Sequence, residues 1–128
     1  MADILNIEGT PKTPTIKFDP NAGYVEIKGR SIPENSIEFY KPLVDGLERY
    51  AAEAKKETGV TIQLEYFNTS SSKCILDVFK KLEAIHKSGN SSITISWHYE
   101  QDDEDMLEAG EDYQAIIDVP FKMVEIVE

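Results

Sequence analysis

A chain of 128 residues suffices for one compact domain with its own core and is too short for two. At 41% apolar and 29% charged residues it falls in the soluble globular class, and its net charge of −11 argues against nucleic acid or an anionic membrane as the main partner, since both need clustered Lys and Arg. The single cysteine, Cys74, excludes an internal disulfide or a cysteine metal cluster, and its place beside Ile75 predicts a small buried hydrophobe. No stretch reaches transmembrane length, and MADILNIEGTPKTPT lacks the basic and apolar regions of a signal peptide, so the expected location is cytoplasmic.

Residues 1–12 read as irregular, with Pro11 and then Pro14 restricting the backbone, and residues 13–128 as a single domain. TIKFD and YVEIKG flank the turn Pro20-Asn21-Ala22-Gly23, and Ile16 with Phe18 and Val25 with Ile27 supply the alternation of an N-terminal β-hairpin. Asn35 followed by Glu38 resembles a capping box. From there Tyr40, Leu43, Leu47, Tyr50 and Ala54 repeat at helical spacing up to Gly59, a C-terminal stop. Pro42 either kinks that helix or marks its start; one bent element is favoured.

VTIQLEYF alternates as a strand, with Val60, Ile62, Leu64 and Tyr66 on one face. A second helix runs from Ser70 or Ser71 to Lys87, with Ile75, Phe79, Leu82 and Ile85 or His86 inward and Gly89 ending it. SSITISWHYE is a strand that puts Ile93, Ile95, Trp97 and Tyr99 together. Met106, Leu107, Tyr113, Ile116 and Ile117 then predict a short surface-packed helix interrupted at Gly110, and VPFKMVEIVE a final strand or an extended tail. Strands alternating with helices give an α/β domain with a mixed sheet and helices on one or both faces.

The junction EYFNTSSSKCILDVF places Asn68, Thr69 and Ser70 at the carboxyl end of a strand and the start of a helix, where open α/β sheets bind ligands and where helix N–H groups favour an anion. Lys73, one turn in, adds a countercharge. Three readings stand: an overbuilt helix cap, a hydroxyl that accepts a phosphoryl group, or an anion site. The Walker pattern is absent. Ser70 and Ser71 are alternative acceptors or caps, and Ser72 falls inside the first turn.

TPTIKFD, GRSIPENSIEFYKPL, LEYFNTSSSK, ISWHYEQDDEDMLEAGEDY and VPF together resemble the SiaC-type family of bacterial regulatory phosphoproteins, from about Thr13 to Phe121. The resemblance implies a single STAS-like domain in a partner-switching pathway. Within it, a serine/threonine kinase phosphorylates the threonine of the FNTSS motif, here Thr69, and a PP2C-like phosphatase removes the phosphate. It further implies that the unphosphorylated form binds and activates a diguanylate cyclase governing cyclic di-GMP and biofilm formation. An anti-sigma factor antagonist-like switch with another output, or a small-anion sensor, is the alternative.

The acidic run from Glu100 to Asp112 fails the EF-hand pattern, because a start at Asp103 puts Glu108 at position six and a start at Asp105 puts Leu107 at position three. It reads as a solvated face or a docking surface for a basic partner, and the resemblance favours docking through Asp102, Asp103, Glu104, Asp105 and Glu108. Arg30 pairs with a phosphate or an acidic neighbour, and Ser31 caps a turn. His86 suits a helix C-terminus, and His98 faces away from the apolar side. Two histidines distant in sequence make no convincing zinc site, and Trp97 and Tyr99 read as packing. With no nucleophile elbow, dinucleotide loop or metal motif, the expectation is a non-enzyme without cofactor or metal.

Overall fold

The computed structural model describes residues 4–126. Its chain order is β1 (Leu5–Ile7), β2 (Thr15–Asp19), β3 (Tyr24–Ser31), α1 (Ser36–Tyr50), β4 (Glu57–Phe67), α2 (Thr69–Ser88), β5 (Ser92–Glu100), α3 (Glu104–Ile116) and β6 (Phe121–Ile126). The six strands form one sheet in sequence order. β1, β2 and β3 pair antiparallel, whereas β3 through β6 run parallel, which makes the expected mixed sheet.

The hairpin between β2 and β3 closes as its sequence dictates. The Asp19 carbonyl accepts from the Ala22 and Gly23 amides, its carboxylate accepts from the Asn21 and Ala22 amides, and Gly23 supplies the positive φ of 71°. Each later strand joins its parallel neighbour through one helix. Because such crossovers are right-handed and the strand order is monotonic, all three helices fall on one face. The burial pattern agrees. Ile16, Phe18, Val25, Ile27, Val60, Ile62, Leu64, Ile93, Ile95 and Trp97 are buried under the helices, while Lys17, Lys28, Gln63, Ser96, His98 and Lys122 occupy the open face. Ile75, Val78, Phe79, Leu82 and Ile85 of α2, with Tyr40, Leu43 and Leu47 of α1, complete the core, and Cys74 is buried there as expected.

Several expectations are corrected. The N-terminal segment read as irregular contributes β1, whose three residues pair with Ile16–Phe18 of β2. The first helix stops at Tyr50, not at Gly59, which lies inside β4 between Tyr24 and Thr94. The Tyr50 hydroxyl accepts from the Lys55 amide at 3.0 Å and bonds Thr58 at 2.8 Å, fixing the turn that ends the helix. Pro42, as favoured, lies inside a single element, α1, where its missing N–H leaves the Glu38 carbonyl without its usual partner. Tyr66 does not share the buried face of Val60, Ile62 and Leu64. Gly29 pairs with Leu64 but Arg30 with Tyr66, so Glu65 is the extra residue of a bulge that reverses the alternation. Phe67 consequently turns inward onto Trp97 and Tyr66 is 51% exposed.

Gly110 does not interrupt α3, which runs through it unbroken. Its missing side chain makes room for the Trp97 indole, since a Cβ there would stand 2.5 Å from Trp97 Cδ1. The final segment is a strand, β6, paired in parallel with β5. Gly89 ends α2 with φ 82°, and His98 lies on the open face, both as expected.

Candidate functional site

In a parallel βα arrangement the carboxyl ends of the strands and the N-termini of the following helices meet along one edge. Here that edge carries the end of β3 and start of α1, the end of β4 and start of α2, and the end of β5 and start of α3. Arg30, the 68–72 segment and the acidic run therefore all belong to the same side of the molecule.

The α2 cap is Asn68, not Ser70 or Ser71. Its side-chain oxygen accepts from the Ser71 amide at 2.9 Å and from the Ser70 hydroxyl at 3.1 Å. Thr69 is the first helical residue. Because the cap serves only the third amide, those of Thr69 and Ser70 are, among the described residues, open donors at the positive end of a 20-residue helix. An anion on the Thr69 side chain would meet both.

The four hydroxyls differ sharply in commitment. Thr69 is exposed, and among the described residues its hydroxyl makes no hydrogen bond. Ser70 is exposed but bonded to Ser36 at 2.8 Å as well as to Asn68. Ser71 is fully buried and donates to the Ser31 carbonyl at 3.0 Å, which removes it as an alternative acceptor without local unfolding. Ser72 is half-buried against Tyr113, whose hydroxyl donates to the Ser72 carbonyl at 2.9 Å. Lys73 is exposed one turn into the helix.

Beneath the rim lies a buried hydroxyl chain that the sequence reading missed. Ser31 donates to Ser71 at 2.8 Å, so by elimination Tyr40 donates to Ser31 across 2.6 Å. Ser36 donates to Ser70, and the Asn68 amide donates to the Ser31 carbonyl at 3.0 Å. Ser31 thus does not cap a turn; it ties β3 to α1 and α2. Burial pushes the Tyr40 phenol far above its ordinary range, so it stays a neutral donor. Two signals were available. Ser31 keeps the inward parity of Val25 and Ile27, and Ser71 lies one turn before Ile75 on the inward stripe of α2.

The acidic run is partly structural. Asp103 caps α3 by accepting from the Met106 amide at 3.0 Å, and Glu104 and Asp105 lie in the first turn, where the helix dipole favours negative charge. Asp102, Glu104, Asp105 and Glu108 are exposed. Among the described residues no cluster of His, Cys, Asp or Glu could hold a metal ion, and no helix is long and apolar enough to cross a membrane. Arg30 is exposed and, among the described residues, forms no ion pair. The His86 ring has a packing role, its Nδ1 accepting from the Ile93 amide at 3.1 Å.

Comparison with known proteins matches residues 7–126 to the model of the SiaC family regulatory phosphoprotein. An uncharacterized protein of Pseudomonas aeruginosa strain UCBPP-PA14 is 35% identical over 117 residues, covering 91% of this chain and 92% of that protein. SiaC of Pseudomonas aeruginosa superposes with a TM-score of 0.88 at 32% identity, covering 97% of this chain and 99% of that one. A chain from the crystal structure of the diguanylate cyclase SiaD in complex with its activator SiaC, from the same species, gives 0.89 at 34%, covering 95% and 99%. These matches bear out the expected SiaC-type, STAS-like α/β architecture.

Proposed function

The chain belongs to the SiaC family of regulatory phosphoproteins, a family of regulators and not of enzymes, and from that premise we propose that it is a phosphorylation-controlled binding module with Thr69 as the acceptor. A serine/threonine kinase adds the phosphate, a PP2C-like phosphatase removes it, and the unphosphorylated form binds and activates a diguanylate cyclase. The reading sets this switch in the cytoplasm, where both kinase and cyclase find their nucleoside triphosphates. One observation carries it most: of four consecutive hydroxyls, Thr69 alone is both exposed and uncommitted, at the positive end of a long helix. The complex of SiaD with its activator SiaC supports the choice of output partner.

Phosphorylation adds about two negative charges at neutral pH. At Thr69 these fall on the rim at the start of α2, so a partner seated there would have to bury a dianion. The helix N–H groups would meanwhile hold the phosphate in place without disturbing the fold. The exposed carboxylates of Asp102, Glu104, Asp105 and Glu108 supply a docking surface for a basic patch on kinase, phosphatase or cyclase.

Intact-mass and fragment mass spectrometry of protein from its native host, before and after a PP2C-type phosphatase, tests the acceptor. One phosphatase-sensitive phosphate on Thr69 is expected. Phosphate on Ser70 would move the acceptor by one residue, and none under varied growth conditions would overturn the switch.

A further inference from the structure

A residue as apolar as Tyr66 has no need to face solvent in a strand whose alternation runs inward through Val60, Ile62 and Leu64. The bulge at Glu65 puts it there. Beyond the bulge Tyr66 stands opposite Arg30 in the ladder, both exposed, two residues before the α2 cap, and the next rung ties Ser31 to Asn68 through a 3.0 Å hydrogen bond. Bulges beside functional sites commonly re-aim a side chain, and Tyr and Arg are the residues that most often anchor protein interfaces.

We propose that Tyr66 and Arg30 form the anchor of the partner-docking surface, taking an apolar side chain of the diguanylate cyclase against the tyrosine ring and a neighbouring carboxylate on the guanidinium. The inference rests on the function proposed above and adds the chemistry of the contact. Arg30, without an ion pair among the described residues, is the charge that selects an acidic group even though the chain is acidic overall.

The test is binding of the host's diguanylate cyclase to unphosphorylated wild type and to Tyr66→Ala, Arg30→Ala and Ile116→Ala chains. Ile116, more exposed still, is an apolar residue at the far end of α3 and serves as control. Circular dichroism and melting confirm each variant's fold. Expected is a loss of at least about tenfold in affinity for Tyr66→Ala and Arg30→Ala, none for Ile116→Ala, and partial rescue of Arg30→Ala by Arg30→Lys. Wild-type affinity in folded Tyr66→Ala and Arg30→Ala would overturn the anchor and leave the function standing. No binding by wild type itself would overturn both.

Discussion

Replacing Gly110 with alanine adds one methyl group where the core has no space for it. The new Cβ would lie 2.5 Å from Cδ1, 2.6 Å from Nε1 and 2.8 Å from Cγ of Trp97, against the 3.5–4.0 Å at which carbon atoms normally rest. Trp97 cannot retreat. It is fully buried, its Nε1 donates to the Met106 carbonyl at 2.9 Å, and Phe67, Phe79 and Tyr113 pack around it. Helix α3 must move instead. Overpacking costs about 1–3 kcal/mol, and loosening the indole hydrogen bond about 1 kcal/mol more. The better helix propensity of alanine offsets about 1 kcal/mol, leaving a net loss of about 1–3 kcal/mol. At roughly 4 °C per kcal/mol for a domain of this size, melting should fall by about 4–12 °C. Gly59→Ala is the control, because a Cβ there meets nothing within 4 Å and should leave stability unchanged or slightly raised. Urea unfolding of both variants decides the matter. A Gly110→Ala protein as stable as wild type would refute the argument that this glycine exists to seat Trp97.

Asn68→Ala removes the α2 cap and should cost about 1 kcal/mol in urea unfolding, with faster amide exchange at Ser71; unchanged exchange there would contradict the assigned cap. Burial raises the Tyr40 and Tyr113 phenols above their ordinary value of 10.0. The folded state then holds its protons longer than the unfolded one, so their contribution is complete below pH 10 and is lost as pH climbs from there towards the folded values. Melting followed across that range should fall more gently in Tyr40→Phe than in wild type, and parallel profiles would count against the buried donor. Thr69→Glu should weaken partner binding and Thr69→Ala preserve most of it, with one carboxylate imitating the dianion only in part.

Much of this was legible because the elements obey local rules. The hairpin announced itself through its turn residues and paired alternation, α2 through an inward stripe ending at Gly89, and β5 through Ile93, Ile95 and Trp97. The misreadings share a cause in tertiary context. Gly59 resembles a helix stop, but pairing with strands on both sides claims it. Gly110 resembles a breaker because the indole that needs its empty space is 13 positions away in sequence. Tyr66 faces outward on account of a bulge, which period-2 counting does not register. At the site, the exposed Thr69 was readable from the motif and its place before a helix. The Tyr40–Ser31–Ser71 chain was legible only in the inward parity of Ser31 and Ser71, because the partners that join them are contributed by different elements.

A phosphate on Thr69 is proposed to decide whether the partner binds. The most direct test prepares the protein fully unphosphorylated and stoichiometrically phosphorylated at Thr69, titrates each against the host's diguanylate cyclase, and reads both affinity and cyclic di-GMP formed. Binding and activation by the unphosphorylated form are expected, with a loss of both on phosphorylation that a PP2C-type phosphatase restores. Equal binding and equal activation by the two forms would contradict the proposal.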